Sequence, residues 1–423
     1  MKLSGSGRFV LACVGSALAL GLSACGSYTT GYLWVVEGKS AANGPGNTIT
    51  GYKIDDHSGN LTEMVHSPFP AGGNSPVMGV VKPGGRYVYV LNQNDPTNSV
   101  SEFSVGGDGV LTFQQSYASQ GGTPQWMDIS TGGDFLYVVD SVSPDRSGPN
   151  GTAPACASIN AQFNPNPKAP CGSVTVFSID ANTGRLSLVQ NQSIKVNGTF
   201  LTYTPVGPNP TRVKVTTAAA ALVVNSDQTI TSLQIGTNGQ LTVGANNTQV
   251  IDGGQTIGIS SITAGGTFLY LTDSVNNRIL QYTVSTTGVL QPVTGGQVVN
   301  SIVPGALPVW TYTDSASKFL YVLNQNNPST TQNKSSISAY TVLPTTGQLQ
   351  TQGGTLNPYA VGAGPVCMVE DPSKQWVYTS NQDGTVTGYH IDHSTGFLTA
   401  LQHGSTFQAQ GRPGCLIISG ITS

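Results

Sequence analysis

FLYVLNQN, Phe319–Asn326, is a short run of aromatic and β-branched residues ending in polar turn formers, and the chain rewrites it along its length. YVYVLNQN stands at Tyr87–Asn94, FLYVVDS at Phe135–Ser141 and FLYLTDS at Phe268–Ser274. Looser copies are YLWVVE (Tyr32–Glu37), ALVVNS (Ala221–Ser226) and WVYTSNQ (Trp376–Gln382). Each reads as a strand, because such side chains suit a pleated surface and the Asn or Asp after them supplies a turn. One strand repeated at a period of roughly 40–50 residues marks a radial array of sheets.

The unit around each copy is longer. In the sixth it runs through a first strand at Leu307–Thr313, the FLYV strand at Lys318–Leu323, a third at Ser335–Val342, a Thr346-Gly347 turn and a fourth at Gln348–Gln350. Third strands recur as ITGYKID (49–55), SVSEFSV (99–105), SVTVFSID (173–180), TITSLQI (229–235), RILQYTV (278–284) and TVTGYHID (385–392). Four short antiparallel strands per unit make a propeller blade. The expected fold is therefore all-β, a seven-bladed β-propeller of four-stranded antiparallel blades. The long gap between Tyr137 and Val223 holds only one further third strand, so it reads as one blade with an insertion at about 142–172. Blade 1 lacks its own first strand, and the tail Gly411–Gly420 (GRPGCLIISG) has the look of one. The C-terminal strand is expected to complete blade 1 and close the ring, which leaves no free sheet edge. No stretch holds a 3.6-residue apolar period for three turns.

Charged residues are 9% of the 423 and the net charge is −3. Nucleic-acid binding needs a basic face to neutralise phosphates, so nucleic acid is not an expected partner. Residues 1–24 read as a lipoprotein signal peptide: Lys2 and Arg8 are its positive region and Phe9–Leu22 its apolar one. The apolar run is shorter than the roughly 20 residues of a membrane span. Leu22-Ser23-Ala24-Cys25 resembles a bacterial lipobox, which makes Cys25 the lipidation site, residues 25–30 a tether and 31–423 the propeller. The expected place is extracytoplasmic, lipid-anchored in the bacterial cell envelope, as a monomer held to the membrane by its N-terminal lipid. With Cys13 in the signal and Cys25 lipidated, four cysteines remain. Cys156–Cys171, around a loop rich in Pro and Asn, and Cys367–Cys415 are the expected disulfides, since no Cys-x-x-Cys pair suggests zinc.

Registering the blades on the FLYV strand places Pro76, Pro124, Pro210, Pro308, Pro365 and Pro413 at the start of the first strands, with Ile257 as the exception. Two positions on, the strands facing the axis present Met78, Trp126, Arg212, Ile259, Trp310, Cys367 and Cys415. Trp126, Arg212 and Trp310 are the candidate ligand-binding residues at the channel mouth, able to stack on a sugar or planar ligand. The plainer alternative is that the two tryptophans plug the tunnel. Cys367 and Cys415 fall on neighbouring inner strands at equivalent height, which suits a bridge.

The architecture carries motifs that resemble the seven-bladed β-propeller lactonase family, which includes 6-phosphogluconolactonase and the fungal muconate-lactonising enzyme. They are the Gly-x-Phe-Leu-Tyr unit (Gly133–Val138, Gly266–Leu271), the Thr-Gly-x-Leu turns (Thr183–Leu186, Thr346–Leu349, Thr395–Leu398) and the run from Asp273 through Arg278 to Tyr282. The resemblance implies activity on a small lactone. In the family, Pro-Arg-His starts the inner strands and Asn-Glu ends the second. Here Val77, Gln125, Thr211, Val309, Val366 and Gly414 follow the prolines, and Gln93, Gln325 and Gln382 follow the asparagines. A carboxamide does not titrate near neutral pH and is no general base. The catalytic candidates that remain are Arg212, Arg278, Asp273 and Glu370, with Asp371 as a further acid. His57 and His393 occupy matching hairpin turns and read as turn residues. No metal site, phosphate loop or cofactor is expected. Two functions stay open: a lactone-opening or lactone-forming enzyme, and a non-catalytic envelope propeller that recognises a glycan or protein partner.

Overall fold

The computed structural model describes residues 28–38, 46–95, 99–144, 171–191, 195–196, 199–217, 219–293, 299–300, 307–325, 335–353 and 358–421. Within them lie seven antiparallel sheets of four main strands, in chain order from the axis outward in all but blade 1. The innermost strands are Pro76–Val81, Gly122–Ile129, Arg212–Val215, Ile259–Gly265, Pro308–Thr313, Pro365–Glu370 and Leu416–Gly420. The last pairs with Thr29–Glu37, so the C-terminal strand completes blade 1 and joins the two ends of the ring as expected. In blades 1, 3, 5, 6 and 7 a short extra strand pairs beside the fourth on the third strand. A small separate hairpin, Lys195–Val196 with Thr199–Phe200, stands outside the seven sheets. No helix among the described residues is long and apolar enough to cross a membrane.

The repeated strand is the second of each blade, and its side chains alternate between the two neighbouring blades. In blades 2, 5, 6 and 7 its tyrosine latches the blade to the next. The hydroxyl of Tyr89 donates to the carbonyl of Gly184 at 2.5 Å, Tyr270 to Gly347 at 2.9 Å and Tyr321 to Gly396 at 2.8 Å. Tyr378 reaches Gly59 across the closure at 2.6 Å, and Trp34 Nε1 reaches Gly109 at 3.1 Å. Each acceptor is the glycine of the hairpin turn joining the next blade's third and fourth strands. The first aromatic of the repeat lies against the same glycine, as Phe319 does against Gly396. The latch ties the aromatic strand of one blade to the Thr-Gly turn of its neighbour, which is why the two motifs recur together.

The polar residue that ends the repeat is buried and does more than cap a turn. Asn92, Asn225, Asn324 and Asn381 donate from Nδ2 to Ser or Thr hydroxyls on their own third strands, Asn324 to Ser338 at 2.8 Å and Asn381 to Thr387 at 3.0 Å. In blade 1 Glu37 accepts from Thr48 and Thr50, both at 2.9 Å. Blades 3 and 5 carry Asp140 and Asp273 there, and the two are treated oppositely. Asp140 is fully buried; desolvation pushes its pKa up to about 7, against the hydrogen bonds from Ser119, Gly121 and Thr175. Burial would raise Asp273 too, but the Gly258 N–H, Arg278 and Asn276 outweigh it and hold its pKa below the ordinary value.

Cys367 and Cys415 form a disulfide with Cα atoms 5.3 Å apart, which staples blade 7 to the returning strand. Cys171 is also disulfide-bonded; Cys156, the partner expected for it, lies outside the described residues, as do Cys25 and the signal segment.

Candidate functional site

The inner strands surround an axial cavity of about 300 Å³. Every second residue of these strands recurs at one height, because strand side chains alternate with period two. The upper layer holds Met78, Trp126, Arg212, Ser261, Trp310 and Cys415 on the cavity wall. Ile259, expected in this layer, stands one layer higher. It pairs with Asp273, at the level where Pro76, Pro308 and Pro365 pair with the asparagines of their own blades. Ser261 fills the vacated place. The blade lacks the proline that marks the register elsewhere, and only residues 266–267 join its first two strands where blades 2, 6 and 7 have 82–86, 314–318 and 371–375, so counting back from the FLYV strand overshoots.

The three expected ligand-binding residues converge. The rings of Trp126 and Trp310 lie 5.5 Å apart at 50°, and the Arg212 guanidinium carbon sits 4.2 Å from the Trp126 centroid. Both tryptophans are half-buried, and their rings, reaching each other from blades 3 and 6, stand on the wall of the cavity. Arg212 Nη1 donates to the Thr211 carbonyl at 2.9 Å, while its Nε, buried, has no hydrogen-bond partner. No carboxylate pairs with Arg212 among the described residues. Burial brings its pKa down to about 10, so the guanidinium remains charged at neutral pH. Trp310 Nε1 is likewise a buried donor without a partner. Stacking on an indole stabilises a cation by about 1–2 kcal/mol when partly desolvated, but an unpaired buried charge still favours an anion.

The layer below adds Val80, Asp128, Lys214, Thr263, Tyr312 and Val369. Lys214 Nζ lies 3.0 Å from Asp128 Oδ2, which also accepts the Val215 N–H at 2.8 Å. The cavity is two-sided. Blades 1, 2 and 7 contribute Leu416, Met78, Val80, Met368 and Val369, whereas blades 3 to 6 contribute the tryptophans, the charges and the hydroxyls. Asp128, Lys214 and Tyr312 went unread in the sequence, although each stands two residues beyond a ring position and strand alternation alone points to it.

The other catalytic candidates lie elsewhere. Arg278 is on the third strand of blade 5, outside the axial cavity, its Nε 2.7 Å from Asp273 Oδ2 and its Nη2 bonded to Asp252. These two charges tie down a turn, and the pair does not join Arg212. Glu370 ends the inner strand of blade 7 but turns into the seam with blade 6. It accepts from the Tyr312 hydroxyl at 3.2 Å and the Ser315 N–H at 3.1 Å. Burial raises its pKa, opposed by His393 at 3.2 Å. His393 is thus more than a turn residue: it bridges Glu370 and, at 3.5 Å, the buried Asp314. Asp371 caps its own turn through the amides of Ser373, Gln375 and Trp376.

At the rim the glutamines link neighbouring blades. Gln93 Nε2 donates to Gln125 Oε1 at 3.2 Å, Gln325 Nε2 to the Pro365 carbonyl at 3.0 Å, and Arg412 donates to Gln382 Oε1.

The seven-bladed β-propeller lactonase family model matches residues 46–145 and 311–417. The chain is similar in structure to a candidate 6-phosphogluconolactonase from Bacteroides fragilis, with a TM-score of 0.64 and 18% identity over 93% of this chain and 99% of that one. A protein from Lactobacillus plantarum aligns with a TM-score of 0.65 and 14% identity over 93% and 100% of the two chains. The periplasmic gluconolactonase of Pseudomonas aeruginosa gives 0.61 and 16% over 93% and 100%. Among curated proteins nothing matches. At these identities the likeness of solved structures establishes the fold, and the family match covers both ends of the ring.

Proposed function

We propose that this propeller, which the family match supports as a lactonase-like one, binds a small cyclic compound with one negative charge in its axial channel: a lactone, or the hydroxy acid it opens to. The observation that carries this is Arg212, charged, walled by Trp126 and Trp310 and without an acid partner among the described residues. An anionic ligand supplies the missing partner, and a ring packs between the tryptophans and the apolar wall. In the hydrolytic reading, water adds to the lactone carbonyl and the ring oxygen leaves with a proton. Arg212 stabilises the oxyanion that forms as water adds, before the bond to the ring oxygen breaks. Asp128 is the carboxylate on the cavity wall and the group to accept the water's proton.

Binding without turnover is the second reading. It is favoured by Asp128 being already engaged by Lys214 and the Val215 N–H, and by glutamines standing at the rim. A panel of charged and uncharged lactones and their hydroxy acids, assayed for hydrolysis and by calorimetry, separates the readings. Lactone hydrolysis that Arg212→Ala lowers at least 100-fold supports the first. Binding of the acids, lost in Arg212→Ala, with no hydrolysis supports the second. Neither hydrolysis nor binding across the panel removes both.

The same proposal places the protein outside the cytoplasm, anchored by lipid on Cys25 and acting as a monomer. The Cys367–Cys415 disulfide supports an oxidising compartment. Labelled fatty acid incorporated by the wild type and not by Cys25→Ser is the expected result; equal labelling removes the anchor.

A further inference from the structure

The seam between blades 2 and 3 opens at its outer side into a second cavity, about 300 Å³ and mostly polar, which shares no lining residue with the axial one. Its lining includes Glu102, Gln114, Gln115, Asn182, Thr183 and Arg185. Glu102 is 1% exposed, yet its Oε1 has no hydrogen-bond partner. Its Oε2 accepts from the Tyr117 hydroxyl at 2.5 Å, and Tyr117 in turn accepts the Leu186 N–H at 3.0 Å.

The fold does not call for a carboxylate here. Glu102 stands on the third strand opposite the latch tyrosine, Tyr89. The matching residues of the other blades are Gly51, Val176, Ser232, Gln281, Ala339 and Gly388, none of them charged. Gln281 performs the seam's local task directly, accepting the Leu349 N–H at 3.2 Å. A glutamine would therefore serve blade 2, whereas an unpaired buried carboxylate oxygen destabilises it. Desolvation raises the Glu102 pKa, against the Tyr117 hydrogen bond and the Arg185 charge.

We propose that this cavity is a binding site for a neutral, hydroxyl-rich ligand, a single sugar unit, whose hydroxyls donate to Glu102. Glu102 and Arg185 offset each other in charge, so neither a cation nor an anion is selected. The rest of the wall offers carboxamides and hydroxyls, which both donate and accept, as a sugar's hydroxyls do. The volume is at the small end of ligand pockets and suits one ring. The proposal stands apart from the axial-channel reading.

The test is saturation-transfer NMR and calorimetry of the purified protein with glucose, galactose, mannose and N-acetylglucosamine. At least one is expected to bind, and Glu102→Gln to weaken it at least tenfold with a melting temperature unchanged or raised. Gln115→Ala, on an exposed face, is expected to weaken it severalfold and serves should Glu102→Gln fold poorly. Binding of none of the four, or binding untouched by both variants, overturns the proposal. Sugar binding lost in Arg212→Ala and kept in Glu102→Gln places the ligand in the axial channel and overturns it equally.

Discussion

The seam between blades 6 and 7 and the seam between blades 4 and 5 solve one problem in two ways. At the first, Phe319 packs on Gly396 and Tyr321 donates to its carbonyl. At the second, Ala220 and Leu222 occupy those places, and the Gly288 carbonyl accepts instead from Ser232 Oγ at 2.6 Å and Gln249 Nε2 at 3.0 Å. The seam of blades 3 and 4 is intermediate: Phe135 lies against Gly239, but the Tyr137 hydroxyl has no partner. What a seam requires is a donor to the turn carbonyl and a filled space above the turn, not a tyrosine as such. Blade 4, where the repeat is most relaxed, also brings both channel cations, Arg212 and Lys214. The family match leaves out residues 146–310, which contain them.

The most heavily tied seam, between blades 7 and 1, sets the upper end of this comparison. Cys415→Ser is expected to lower stability by about 4 kcal/mol on the loop-entropy model, for a sequence separation of 48. Denaturant unfolding that shows under 1 kcal/mol would mean the Tyr378 latch and strand pairing suffice to close the ring.

A methyl group at the turn glycines contrasts the two seams directly. Gly396 has φ 75° and an added Cβ would stand 2.5 Å from the Phe319 ring, whereas at Gly288, φ 80°, the neighbours are Ser232 Cβ at 2.9 Å and Ala220 Cβ at 3.3 Å. Both pay the left-handed penalty of about 1 kcal/mol. Gly288→Ala must also shift Ser232 by a little, whereas Gly396→Ala must displace the Phe319 ring and the Gln352 amide, for a total of about 3 kcal/mol. Equal losses in thermal unfolding would erase the distinction.

The buried acids extend the contrast to pH. Asp140 has its folded pKa raised to about 7, above the roughly 3.9 of an unfolded chain. Between these values the native state holds the extra proton, so its contribution to stability falls as pH rises. Asp140→Asn, the residue of four sister blades, is expected to flatten that slope and raise the melting temperature at pH 8. Asp273 has its pKa lowered, so its contribution is present above the unfolded pKa and fades as pH falls through the folded one. Asp273→Asn is expected to lower the melting temperature at pH 8. Parallel responses of the two variants would refute the assignment.

The smallest effect separates a used hydroxyl from an idle one. Tyr321→Phe strands a carbonyl and should cost about 1–2 kcal/mol, while Tyr137→Phe should change stability by less than about 0.5 kcal/mol. Similar values would show that the latch bonds contribute little.

The channel residues were legible wherever the repeat kept its register. Met78, Trp126, Arg212, Trp310 and the two cysteines stand where the aligned sequence places them, and the disulfide follows from that alignment. Ile259 was misplaced because blade 5 has no proline there and a shorter turn, 266–267, between its first and second strands. Arg278 looked like a free cation because Asp252, its second partner, lies 26 residues away and meets it only through the fold. His393 resembled His57 by its turn, but only the packing of blade 6 on blade 7 brings Asp314 and Glu370 to it.

The sequence by itself determined the strands, the turns, the number of blades and the closing tail, because these follow from local alternation, turn chemistry and repetition. Only the tertiary structure decided which charges are spent on the scaffold and which are left over. Ion pairing depends on neighbours from distant blades, and burial sets whether an acid such as Asp140 or Asp273 holds its proton. Seen this way, Phe319–Asn326 writes the ring's latch, while the unpaired Arg212 marks the channel.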